Sequence, residues 1–182
     1  GDEDKVASRL QNSVYYFREG VTFSSRGVYS PTFRLKCLGP FDKESSCVFP
    51  SSEVNNLLGI LASKLSKYLF RSYIQDSVSS DIDAIKQIVV SSNIDFSDYI
   101  DRIVENQRDN PQYNYSANEQ REIDALVYQL YEIDEENIRE VELWYCRRYP
   151  RLAQAQGVLA EVREKYADHL ERCERVLEKP PS

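Results

Sequence analysis

The sequence predicts an α+β fold: a small N-terminal β-sheet with a helix packed on it, then a mostly helical C-terminal part ending in a long heptad-bearing helix. Three observations carry this expectation. Apolar and polar residues alternate in Val21-Thr22-Phe23-Ser24 and again from Thr32 to Leu38, the rhythm of strands with one buried face. From about Ser52 to Phe70 the apolar period becomes that of a helix, and it stays helical from Phe96 onward. Gly, Pro and Ser punctuate the front of the chain, as the turns of a meander or small barrel require.

Each element has its own warrant. Residues 1–12 are polar or acidic at their start and are expected to fray, while Val14-Tyr15-Tyr16-Phe17 is β-prone and Arg18-Glu19-Gly20 supplies a turn. Ser25-Arg26-Gly27 turns between the two alternating strands, and Cys47-Val48-Phe49 is a short strand ended by Pro50, which has no N–H for a ladder. Ser51 or Ser52 can cap the helix whose stripe is Val54, Leu57, Leu58, Leu61, Leu65, Tyr68 and Leu69. Lys64, Lys67 and Arg71 are expected to share its flank as a row of cations, and Ile85 to Val90 to form a strand that closes the sheet. Tyr99, Ile100, Ile103 and Val104 mark a helix broken at Pro111, and Ser116 with Glu119 has the spacing of a capping box. Asp134 can cap a third helix that stops at Pro150. After Pro150, Leu152, Leu159, Tyr166 and Cys173 recur as a heptad, which implies a partner helix, with Gly157 as its weak point and His169 near the seam.

The 182 residues suffice for one large domain or two small ones. The formal net charge of −7 hides an asymmetry: Lys5 to Gln75 has ten Lys or Arg against four Asp or Glu, a net of +6, whereas Asp76 to Ser182 has thirteen against twenty-three, a net of −10. A basic front half points to an anionic partner, because the local field is what a polyanion meets on docking. No apolar run approaches the roughly 20 residues that span a bilayer, and no signal-peptide progression opens the chain, so the expected location is cytoplasmic, with no membrane partner. Cys37, Cys47, Cys146 and Cys173 lie too far apart for a Cys-x-x-Cys motif and are expected to be buried thiols. The start at Gly1 and the lack of methionine give the expectation of an excised fragment.

Six segments resemble, in order, the C-terminal target-recognition region of adenine-specific DNA methyltransferases of the type IIG restriction-modification and BREX phage-defence kind. They are Tyr16 to Ser24, Tyr29 to Arg34, Ser46 to Pro50, Leu57 to Lys64, and the pair Asp83 to Val89 and Glu122 to Tyr131. The likeness covers roughly residues 13–145, with Phe23 where the family commonly has tryptophan and no counterpart for the helix after Pro150. It implies a β-rich target-recognition-like domain over 13–92 and a helical support region over 93–149, while the heptad alone gives the expectation of a long C-terminal helix with a frayed tail over 150–182. It also implies that the catalytic half of the parent, with its S-adenosylmethionine pocket and any endonuclease activity, lies outside this sequence.

The residues themselves agree that this fragment is not an enzyme and holds no cofactor or metal: there is no Gly-rich phosphate loop, no Cys/His set and a single His. Glu135 and Glu136 sit at a helix start, where the dipole accounts for them. A base-modifying enzyme must extrude its target, so a separate module has to grip the duplex and read neighbouring bases. The expected partners are therefore double-stranded DNA and the methyltransferase domain of the same parent. Ser24, Ser25, Arg26, Tyr29 and Arg34 are assigned to base contacts, and Lys36, Lys64, Lys67 and Arg71 to phosphates. The rival expectation is a protein-interaction adaptor that docks a helix, or a second copy of itself, through 152–177, with Arg26 merely paired to Glu19 and the cations solvated.

Overall fold

The computed structural model describes residues 13–27, 29–36, 39, 45–51, 53–91 and 93–177, with side chains through 168. The expected frayed start, Ser52 as a cap, and the side chains of Cys37, His169 and Cys173 lie outside those residues. The architecture is α+β, as the alternation and the later helical period predict. Strands β1 (Val21–Ser24), β2 (Phe33–Leu35) and β3 (Ser45–Val48) form an antiparallel sheet in the order β2-β1-β3. Phe23 lies opposite Phe33 and Val21 opposite Leu35, so the alternation of β1 puts Val21, Phe23 and Phe33 on one buried face. The Phe23 and Phe33 rings lie 6.1 Å apart.

Helix α1 (Val54–Ala62) packs on that face, and α4 (Ser97–Asp109), α5 (Glu119–Leu130) and α6 (Glu135–Cys146) complete one apolar core that runs from Val21 and Phe23 through Leu57, Ile60 and Phe96 to Val127 and Val141. The sheet segment and the helices expected to support it thus share a core. Gly59 is required where α1 meets the residue that opens α4, because a Cβ there would lie 2.5 Å from Cδ2 of Phe96, which is wholly buried.

Several expectations fail, each for a local reason. The helix expected from Ser52 to Phe70 is broken at the extended, fully buried Ser63, after which come α2 (Lys64–Leu69) and a wider π turn at Phe70–Ile74. The Ser63 hydroxyl donates to Ile60 O at 2.7 Å and accepts from Ser66 N at 3.2 Å, so one side chain serves the end of α1 and the start of α2. Helix α1 itself begins after Glu53 without a side-chain cap. Val14 to Phe17 is not a strand: Ser13–Tyr15 forms a 3-10 turn whose Tyr15 ring packs tilted against Phe49, centres 4.9 Å apart. Nor do residues 85–90 return to the sheet. Helix α3 (Ile82–Ile85) and a turn place Ile85 and Ile88 three residues apart in the core and leave Val89 exposed, so burial overrides β-propensity.

The capping box is absent as well. Ser116 lies in a 3-10 turn, Asn118 precedes α5, and the buried Glu119 carboxylate accepts instead from Tyr113 OH at 3.0 and 3.1 Å. Asp134 does cap α6, accepting from Asn137 N at 2.8 Å. Helix α6 ends at Cys146 rather than at Pro150, and Pro150 opens α7 (Pro150–Ala155). The long C-terminal helix is therefore two pieces. Gly157 turns at φ +71° before α8 (Leu159–Leu177), which is itself kinked at Tyr166. Leu143 and Cys146 of α6 pack with Ala153, Val158 and Val162, and Leu152, Leu159 and Tyr166 flank them. Through Tyr166 the partner helix implied by the heptad is supplied by the chain's own α6. Cys47 and Cys146 are buried and outside any disulfide, and burial pushes the Cys146 thiol up to about 11.

Candidate nucleic-acid interface

The break at Ser63 decides where the cations of α2 point. Lys64 is the first residue of that helix, and its N–H donates to Asp124 Oδ1 of α5 at 2.9 Å. Its side chain runs inward, with Nζ 2.6 Å from Glu142 Oε2 and 3.8 Å from Asp124 Oδ2. Tyr128 OH closes the network by donating to Glu142 Oε1 at 3.0 Å. At 8% exposure, Lys64 cannot serve as a phosphate contact. Lys36 is equally buried, donating to the carbonyls of Tyr16 and Gly39. Both assignments are corrected: these ammonium groups hold the fold, because burial without such partners would be too costly.

Arg71 also turns away from the expected row. Its guanidinium reaches Tyr29 O at 2.6 Å, Gly27 O at 3.1 Å, Gln75 O at 3.3 Å and Ser79 O at 3.4 Å, and also Ser77 O, so it clasps the loop after β1 to the loop before α3. The planar fork of five donors suits that task. Backbone bonds reinforce it, with Gly27 N to Val78 O and Ser80 N to Ser25 O both at 2.8 Å. Lys67, three residues after Lys64, stays half-buried. Among the described residues its ammonium makes no hydrogen bond and no close ion pair, feels the Asp124 charge only at a distance, and lies 5.6 Å from the centre of the Tyr145 ring. Burial, opposed by Asp124 and aided by the nearby Lys64 charge, lowers its pKa.

Lys67 lies in a cleft of about 610 Å³ between β2, α2, α4 and the end of α6. Among the described residues five cations line it, Arg34, Lys67, Arg71, Arg147 and Arg148, and no carboxylate does. Arg71 is clasped to loop carbonyls and Arg147, 6% exposed, donates to Trp144 O, so Arg34, Lys67 and Arg148 carry its accessible positive charge. The positive charges crowd one another, since Arg71's pKa is lowered by burial and then by the Arg148 charge. Aromatic rings fill the gaps between them. Tyr29 stacks toward Tyr149 at 6.3 Å, Tyr149 on Tyr145 at 5.0 Å, and the Arg148 guanidinium lies 4.9 Å from the Tyr29 ring centre. The Arg147 guanidinium carbon lies over Trp144, 3.8 Å from the ring centre, and Arg147 donates to Trp144 O. Such a surface attracts anions that carry a planar face.

The structure thus brings Tyr29, Arg34, Lys67 and Arg71 into one cleft and leaves Ser24, Ser25, Arg26, Lys36 and Lys64 out of its lining. Arg26 is exposed on the clasped loop, its backbone bridged to Ser79, and it makes no ion pair with Glu19. Trp144, Tyr145, Arg147, Arg148 and Tyr149 were not expected in a site, because the run Trp144 to Pro150 reads first as the end of a helix. Its interleaving of aromatic and basic residues is the signal that singles it out.

Among the described residues no cluster of His, Cys, Asp and Glu could hold a metal ion, and no helix is long and apolar enough to cross a membrane. Comparison of the chain with protein-family models, with curated proteins and with solved structures gives no match.

Proposed function

We propose that this chain binds DNA as the target-recognition fragment of a DNA methyltransferase or a bifunctional restriction-modification enzyme, without chemistry of its own. One observation carries the reading: a cleft whose accessible charge is Arg34, Lys67 and Arg148, with Arg71 and Arg147 tied to carbonyls behind them and no carboxylate in the lining among the described residues, in a chain whose formal charge is −7. Segregating positive charge against that total costs self-repulsion, which a bound polyanion relieves. Lys67 is a phosphate contact, and Arg34, expected from the sequence to touch a base, is reassigned to phosphate because it lines the cleft with Lys67 and Arg148. Arg26 and Tyr29, exposed on the loop that Arg71 fixes, would read base edges. The adaptor reading draws less support, because the apolar seam at Leu152, Leu159 and Tyr166 is already packed on α6.

Duplex affinity measured by anisotropy over a range of salt concentrations tests this directly. Binding is expected to weaken steeply and linearly on a log–log scale, and Lys67→Gln or Arg34→Gln should each lower the slope by about one, equally for all sequences. Arg26→Ala should instead flatten the preference among duplexes selected from a random library, by about 1–3 kcal/mol at the base it reads. Duplex binding that ignores salt and all three substitutions would refute the assignment.

A further inference from the structure

The cleft is concave, which limits what can enter it. Duplex DNA is read by elements that project into a groove about 12 Å wide, whereas a cavity of about 610 Å³ has the size of a small-ligand pocket. A paired helix can bring backbone phosphates to the cleft's cations but cannot put its stacked bases inside. A nucleotide outside the stack can go in, and the walls offer it both things it presents. Tyr29 and Tyr149 are 51% and 41% exposed, with ring planes 25° apart, and give a base a platform for stacking. Lys67, half-buried and making no hydrogen bond or close ion pair among the described residues, gives the phosphodiester a charge already stripped of much of its water. Arg34 is exposed on the outer strand of the sheet and adds a second.

We propose that this cleft holds one unpaired nucleotide, its base stacked on Tyr29 and Tyr149 and its phosphate on Lys67 with Arg34 and Arg148. The proposal rests on the nucleic-acid reading above and narrows it: the chain prefers DNA with an unstacked nucleotide over fully paired DNA. Stacking accepts any base, so the preference is for the unpaired state rather than for a sequence.

Trp144 is the only tryptophan in the chain and lines the cleft, so its fluorescence reports on occupancy. The intact chain is titrated with four probes: a fully paired DNA hairpin, the same hairpin with one unpaired thymidine in its stem, a short oligothymidylate and thymidine 5′-monophosphate. The bulged hairpin is expected to bind about tenfold or more tightly than the paired one and to change Trp144 emission, which the paired hairpin leaves unaltered. Tyr149→Ala should bring the ratio of the two affinities toward one, and Tyr149→Phe, which keeps the ring, should restore it. Lys67→Gln provides a second variant should Tyr149→Ala fold poorly, and should remove the response to the monophosphate.

The outcomes separate the two readings. Equal affinity for both hairpins with no change in Trp144 emission overturns the nucleotide site and leaves duplex binding standing. Response to the oligothymidylate and bulged hairpin without any paired binding sustains the site and overturns duplex recognition. A response to the monophosphate alone marks a free-nucleotide pocket and overturns the DNA-borne source. Silence with all four probes overturns both.

Discussion

Replacing Lys64 with Ala is expected to cost the folded state about 3–5 kcal/mol, because it strands the buried Asp124 carboxylate and leaves the partly buried Glu142 without its ammonium partner. Lys64 Nζ lies 2.6 Å from Glu142 and 3.8 Å from Asp124, with the side chains of Lys64 and Asp124 10% and 3% exposed. Asp124 Oδ2 is buried without a hydrogen-bond donor, so the nearby ammonium is what compensates it. Its pKa is already raised, chiefly by burial, against the lowering effect of Lys64. A raised folded-state pKa means that the folded protein holds the proton more tightly than the unfolded chain does. The burden of the ionised carboxylate is therefore absent in acid and appears as pH rises through that raised value. Urea unfolding over a pH series should show the Lys64→Ala deficit at full size near neutrality and shrinking toward acid. Replacing all three groups with neutral isosteres, Lys64→Met with Asp124→Asn and Glu142→Gln, should recover most of the loss. A deficit that neither shrinks in acid nor recovers in the triple variant would show that Lys64 acts through packing alone.

Phe96→Ala should be comparably severe, about 3–5 kcal/mol. The Phe96 ring is fully buried in the core, and its backbone N–H is tied to Asn56 Oδ1 at 2.8 Å. The junction of α1 with the start of α4 is thus fixed by a hydrogen bond and by a ring in the space that Gly59 leaves open. Gly59→Ala is the complementary test. Added to the native chain it should cost about 1–3 kcal/mol by overpacking, despite the better helix propensity of alanine. In a Phe96→Leu background the same substitution should cost much less. Denaturation midpoints with an unchanged slope would measure both effects, and strict additivity of the two substitutions would refute the direct contact.

What could be read in the chain was whatever repeats. Val21 and Phe23 announce a buried strand face, and Tyr99, Ile100 and Ile103 announce a helix, because each period is set by backbone geometry alone. The break at Ser63 was not legible. The apolar stripe continues from Leu61 to Leu65 across it, and only a tertiary neighbour, Asp124, reveals why the helix restarts there. The same break removed Lys64 from the expected row of cations. Ile85 to Val90 misled for the opposite reason, since its β-branched residues lost to the burial of Ile85 and Ile88 at helical spacing. Of the cleft, Tyr29, Arg34, Lys67 and Arg71 were foreseen. Arg147 to Tyr149 were not, because they join the other residues only when α6 packs beside α2.

The clasp made by Arg71 has a consequence for how the molecule breathes. The carbonyls of Gly27 and Tyr29 and those of Ser77 and Ser79 converge on one guanidinium, and the amides of Gly27 and Ser80 bond across the same seam. Neither loop can part from the other without breaking these bonds together. The two loops, far apart along the chain, thus open as one cooperative unit, and solvent deuterium reaches Gly27 and Ser80 through a single shared event. A ligand that orders Tyr29 would then slow exchange at Ser80, which it never touches.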